Sequence, residues 1–171
     1  DDNWVDSVNI CQKTSELQFN GTLANQSVSW QTELGPRLPG SNASLALRNS
    51  LTENLTNYGW DVELSNHISH EINLTNVIAT WKPQNLSQNK YDELGRIVFS
   101  AHYDTRNIAD RDSNESLRNT PILGANDGAS GVAALAELGR IIPSMDLNNE
   151  IMLLFSDAED QGVNSTLGAE A

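Results

Sequence analysis

Two short apolar runs constrain this chain more than anything else in it: Ile97-Val98-Phe99-Ser100-Ala101 and Ile151-Met152-Leu153-Leu154-Phe155. Neither alternates cleanly between apolar and polar, so each reads as a buried strand of the parallel type. Between them, Val132, Ala133, Leu135, Ala136 and Ile141 lay an apolar stripe along a helix predicted from Ala129 to Ile142. Strand, helix and strand joined by a right-handed crossover make a parallel pair in a sheet covered on both faces. In such sheets ligands gather outside the carboxyl ends of the strands. His102-Tyr103-Asp104 follows the first run, and Asp157-Ala158-Glu159-Asp160-Gln161-Gly162 follows the second. Gly124-Ala125-Asn126-Asp127-Gly128-Ala129-Ser130-Gly131 leads into the helix. One imidazole and several carboxylates converging at one sheet edge carry the ligand chemistry of a zinc site.

The remaining elements are spelled out locally. Gly35 to Ser41, with two Pro and two Gly, is a loop. Ser41 is placed to cap a helix whose apolar positions Leu47, Leu51, Leu55 and Tyr58 share one face, and Gly59 is a stop signal. Trp60 to Leu64 alternates as a strand with Trp60, Val62 and Leu64 on one side. Val77 to Trp81 reads as another strand, ended by Pro83. Residues 105–123 form a long loop carrying Arg106, Asp110, Arg111, Asp112, Glu115 and Arg118, and loops of that length tend to be functional or mobile. Residues 1–34 are a polar, partly helical lead-in with Trp4, Val8, Leu17, Phe19 and Leu23 scattered through it. The chain divides on this reading into that lead-in and a single domain over 35–171.

A net charge of −13 argues against nucleic acid or an anionic membrane as partner. No apolar run is long enough to span a membrane. Cys11 is the only cysteine, so an intrachain disulfide is impossible, and it lies far from every motif. Asn-x-Ser/Thr occurs eight times, at Asn20, Asn25, Asn42, Asn54, Asn73, Asn85, Asn114 and Asn164, where composition predicts about three. An Asn-rich chain without sugar is one reading. The excess, and a start at Asp1 that suits a mature end after signal removal, favour an extracellular or cell-surface glycoprotein.

Each candidate site residue has two readings. Asp127 precedes a helix, so it caps that helix through backbone N–H groups or it binds a metal, and Gly124, Gly128 and Gly131 around it permit tight turns near a ligand. Glu159 and Asp160 are adjacent anions whose repulsion a cation would relieve, one binding the ion and the other staying free to carry a proton. His102 is a zinc ligand oriented by Asp104, or a structural residue beside the site. His67 and His70 fall in a polar stretch and read as surface residues, and Asp157 reads as support for its loop.

The three clusters, together with Thr105-Arg106, Ala109-Asp110-Arg111-Asp112, Pro121-Ile122-Leu123-Gly124 and the upstream Gly35-Pro36-Arg37-Leu38-Pro39-Gly40-Ser41, resemble the zinc-dependent exopeptidase family M28. The likeness runs from about Gly35 to Gly162 and is strongest to the glutaminyl cyclase-type branch of microbial members. It implies a three-layer α/β/α fold with a mixed, centrally parallel sheet, and zinc as cofactor: one ion for a cyclase, two for an aminopeptidase. It also implies Asp127 as the central metal carboxylate, Asp160 as a second ligand and Glu159 as general base. His102 is then a ligand of the second zinc in aminopeptidases and a structural neighbour in cyclases. Peptide or protein amino termini become the partners. The implied activity is glutaminyl-peptide cyclotransfer, with amino-terminal hydrolysis, or a non-catalytic binding module of the same fold, as alternatives. The family supplies a further metal His downstream of the Glu-Asp pair, whereas nine residues follow Gly162 here. The resemblance therefore implies the amino-terminal part of a longer enzyme, inactive by itself, with Ile151 to Phe155 near an unpaired sheet edge.

Overall fold

The computed structural model describes residues 19–69, 71–83, 95–145 and 147–161. Helix α1 (Gly21–Glu33) is capped by Asn20, whose side chain accepts the N–H groups of Thr22 and Leu23. Helix α2 (Asn42–Asn57) follows the predicted limits. The Ser41 hydroxyl accepts the Ser44 N–H at 3.1 Å, and Gly59 leaves the helix at a φ of 92°. Its residues Leu47, Leu51 and Leu55 are buried, as their common face requires.

Strands β1 (Asp61–Ser69) and β2 (Ile72–Trp81) form an antiparallel hairpin in which Asp61 lies opposite Thr80. Strand β3 (Arg96–His102), helix α3 (Gly131–Ile141) and strand β4 (Glu150–Ser156) make the expected crossover. β3 and β4 are parallel neighbours with Ile97 opposite Ile151 and Ala101 opposite Phe155. The sheet order is β1-β2-β4-β3, with β4 antiparallel to β2. Ile151, Leu153 and Phe155 point into the core with Val77 and Ala79, and meet Leu47, Leu51, Leu55, Val132 and Leu135 from the helices. Each such side chain, fully buried, contributes roughly 1.5–3 kcal/mol.

Four expectations change. The run at 97–101 is parallel but is not buried: Ile97, Val98 and Phe99 are 42, 51 and 38% exposed. Among the described residues β3 pairs on one side only, so it is the edge. Ile151 to Phe155, expected near an edge, lies instead between β2 and β3, with both rows of backbone groups paired. Trp60 stands just before β1 rather than in it: its backbone N–H donates to the Leu55 carbonyl at 3.0 Å at the end of α2, and its buried indole N–H donates to the Gly139 carbonyl at 2.8 Å. Leu64, placed on the same face as Trp60, is 43% exposed. His67 sits in β1 and is half-buried rather than on the surface. His70, Cys11, Trp4, Val8, Leu17, Asn85, Gly162 and Asn164 lie outside the described residues.

Candidate metal centre

The end of β3 runs straight into a buried polar knot. Tyr103, Asp104 and Thr105 are fully buried immediately after His102. The Asp104 carboxylate accepts the backbone N–H groups of Glu159 and Asp160, each at 3.1 Å, and the Gln161 side-chain N–H at 3.0 Å. It also faces His102 Nδ1 at 3.4 Å. One carboxylate thus ties the imidazole after β3 to the turn after β4. From the other side, the Asp157 N–H donates to Asn76 Oδ1 at 2.9 Å and Asp157 Oδ2 accepts the Thr75 N–H at 3.1 Å. Arg48 reaches both Asp157 (3.8 Å) and the Tyr103 hydroxyl (3.1 Å), and that hydroxyl donates to the Thr75 carbonyl at 2.6 Å. Asp157 is therefore the loop support that its position suggested. Between the two anchors Ala158 is held at a φ of 60°, a left-handed conformation costing about 1–2 kcal/mol for a residue with a Cβ.

Asp127 is presented by a wide helical turn, Ala125–Ser130, that breaks at Asp127 (φ −86°, ψ 108°) and Gly128 (φ 92°). A Cβ at Gly128 would lie 2.9 Å from the Asp104 carbonyl oxygen, and one at Gly124 (φ 57°) would lie 2.5 Å from the Asp127 carbonyl oxygen. No side-chain cap hydrogen bond is made at the start of α3. The break turns the Asp127 side chain away from the helix towards His102 Nε2, 2.9 Å from Asp127 Oδ1. Beneath this turn lies Arg37, fully buried. Its guanidinium donates to the carbonyls of Tyr103 (3.1 Å), Gln31 (3.2 Å), Leu123 (2.9 Å) and Gly124 (2.9 Å). Burial lowers its pKa, with the charge of Asp104 opposing. Gln31 of α1 adds a bond from its side-chain N–H to the Ala129 carbonyl at 3.1 Å.

The electrostatics mark the same cluster. The hydrogen bond to Asp104 pushes His102 up to about 9 against the effect of burial, and the charges of Asp104, Glu159 and Asp127 add to it. Glu159 is raised by burial and by the neighbouring carboxylates, with His102 opposing. Asp160 is raised by burial first and then by repulsion from Asp127, with Arg106 opposing. Glu159 Oε2 stands 4.0 Å from His102 Nδ1 with its side chain partly open to solvent. Asp160 Oδ2 is buried and accepts no hydrogen bond.

Two carboxylates that repel each other, one with an orphaned buried oxygen, suit a divalent cation. Among the described residues no group of three His, Cys, Asp or Glu side chains is arranged to hold a metal. The residues present therefore fit zinc as two donors, Asp127 and Asp160, of a larger set. His102, Asp104 and Glu159 gather around this pair. Arg37, Arg48 and Arg106 were not singled out in the sequence as parts of the site. The signal available for Arg37 was a cation between Gly-Pro and Leu-Pro in a loop otherwise built for turns.

Comparison with known proteins bears on the fold and the family. The glutaminyl cyclase of Bacteroides thetaiotaomicron is 36% identical, superposes with a TM-score of 0.74, and is matched over 86% of this chain and 49% of its own. A Zn-dependent exopeptidase from Parabacteroides distasonis is 30% identical with a TM-score of 0.78, over 89% of this chain and 55% of its own. The glutaminyl-peptide cyclotransferase of Drosophila melanogaster is 27% identical over 135 residues, 73% of this chain and 33% of that protein. The chain thus spans about half the length of the solved relatives and a third of the fly protein. It shares with the solved relatives a mixed sheet in a three-layer α/β/α fold. The model of peptidase family M28 matches residues 76–171. Carrying that match over more than half its length, the chain belongs to peptidase family M28.

Proposed function

We propose that the protein is a zinc-dependent glutaminyl-peptide cyclotransferase, converting amino-terminal Gln of peptides to pyroglutamate with release of ammonia. The observation that carries this reading is Glu159. It is a partly exposed carboxylate with a raised pKa, adjacent in sequence to the donor Asp160 and 4.0 Å from His102. The likeness to solved and curated glutaminyl cyclases supports the choice of substrate.

Asp127 and Asp160 would hold the zinc with a donor from outside the described residues, and the ion would polarise the γ-amide carbonyl of the substrate. Glu159 takes a proton from the attacking α-amine and returns it to the departing ammonia. Burial and neighbouring carboxylates raise its pKa, which makes it a stronger proton acceptor than an ordinary carboxylate. Asp104 fixes the backbone beneath Glu159, so the carboxylate swings from a rigid base. His102 stands between Asp104 and Asp127 and holds the Asp127 carboxylate in place.

Amino-terminal hydrolysis is the second reading, favoured by the 30% identical Zn-dependent exopeptidase and by the contact of His102 with Asp127, which suits a site for a second ion. Assaying the full-length protein separates the two. Release of ammonia from Gln-peptides, abolished in Glu159→Gln with zinc content unchanged, supports cyclisation. Release of free amino-terminal residues from ordinary peptides, with Gln left uncyclised, overturns it.

A further inference from the structure

Asp160 is held asymmetrically. Its Oδ1 lies 3.4 Å from Arg106 Nη1, while Oδ2 is buried and accepts no hydrogen bond. Arg106 itself is aimed from the opposite side. Its Nε and Nη2 each meet one oxygen of Asp110 at 3.1 Å, the two-point geometry that fixes the plane of a guanidinium. The backbone there is tied down as well, since the Ile122 N–H donates to the Arg106 carbonyl at 3.1 Å.

We infer that Arg106 makes Asp160 a one-oxygen metal ligand, occupying Oδ1 and leaving Oδ2 for the cation. This rests on the reading of Asp127 and Asp160 as metal donors. A carboxylate free at both oxygens can chelate a metal through both and fill two coordination positions. Catalytic zinc works with three protein ligands and one position kept open for substrate. A guanidinium seated on one oxygen closes the chelating mode and preserves that position. Because Asp110 shares the charge of Arg106, the ion bound by Asp160 faces an ion pair rather than a bare cation. Arg106 is on this account a positioning residue, and Asp110 positions it in turn.

The test uses full-length protein loaded with cobalt(II), whose visible absorption is strong for tetrahedral ligation and falls as coordination number rises. Wild type, Arg106→Met, Asp110→Asn and Asp160→Asn are compared, with metal content measured in each. Arg106→Met should keep its metal and show a several-fold weaker visible band, as Asp160 closes onto the ion with both oxygens. Asp110→Asn keeps one acceptor oxygen for the Arg106 guanidinium, so it loosens Arg106 without removing it and should weaken the band less than Arg106→Met does. An unchanged band in Arg106→Met overturns the inference, and so does an equal loss in both variants, which would mark a disturbed loop. Absence of cobalt from the wild type, or undiminished binding in Asp160→Asn, is a different failure: it removes the metal reading itself.

Discussion

Replacing Gly128 by Ala tests whether the broken turn that presents Asp127 is required rather than tolerated. Gly128 has a φ of 92° and a ψ of −65°, outside the space that L-residues occupy at low energy. A left-handed backbone costs a residue with a Cβ about 1–2 kcal/mol. The added methyl would also lie 2.9 Å from the Asp104 carbonyl oxygen, a backbone atom locked into the knot behind the site. Overpacking of this kind costs typically about 1–3 kcal/mol. The two together predict a loss of roughly 2–5 kcal/mol, which for a domain of this size lowers the melting midpoint by about 5–15 °C. Gly131→Ala is the matched comparison. Its φ of −63° is helical, and its Cβ would meet a movable side-chain atom, Ala101 Cβ, at 3.1 Å. Greater helix propensity offsets that contact, so the change should stay within about 1 kcal/mol of wild type. Both variants are measured by thermal and urea unfolding of the full-length protein at fixed zinc. A neutral Gly128→Ala, or a Gly131→Ala as costly, would refute the argument that backbone geometry places Asp127.

In metal-free protein, stability should fall as the pH rises through about 9. His102 has a folded value of about 9 above an unfolded one of about 6.5, so its contribution is complete below the unfolded value and lost above the folded one. The contribution is at most about 3 kcal/mol, and His102→Gln should flatten the urea-unfolding profile between about pH 6 and about pH 10. Glu159 and Asp160, also raised, lose stability with the same sign but across the acid range. Asn20, Asn25, Asn42, Asn54, Asn73 and Asn114 are all exposed. If the protein is exported through a glycosylating pathway, amidase treatment should lower its mass and convert occupied positions to Asp. An unmodified native mass would remove the glycoprotein reading.

What the sequence disclosed follows from how local each cause is. Helix α2 was legible to the residue because a Ser cap, a four-residue apolar spacing and a Gly stop all act within a few positions. The β3–α3–β4 unit was legible because its pattern is long and unbroken. Whether a strand is central or at the edge depends on what pairs with it, and the run at 97–101 looks as apolar as the run at 151–155. That is why the exposed strand was placed wrongly. Asp127 was ambiguous for a comparable reason, since a cap and a ligand both stand before a helix. The structure adds what the side chain meets: Asp127 Oδ1 lies 2.9 Å from His102 Nε2, and no side-chain cap bond is made at the start of α3. Arg37 was passed over because an Arg in a turn is normally solvated. Its burial depends on five carbonyls supplied by segments up to 87 residues away.

Those distant contacts explain how a crowd of anions is held before any ion neutralises it. Asp127 and Asp160 repel one another, and Asp104, Asp157 and Glu159 stand close by. Left to electrostatics alone, flexible side chains would spread and the backbone would relax. Instead both aspartates sit near backbone at positive φ, Gly128 after Asp127 and Ala158 two residues before Asp160. Each turn is fixed by hydrogen bonds to neighbouring segments: Arg37 under the first, Asp104 and Asn76 about the second. Most of the hydrogen bonds that pin these turns are buried, where losing one partner costs about 1–3 kcal/mol, more in sum than the strain at Ala158. The repulsion is therefore stored in the folded chain rather than dissipated by movement.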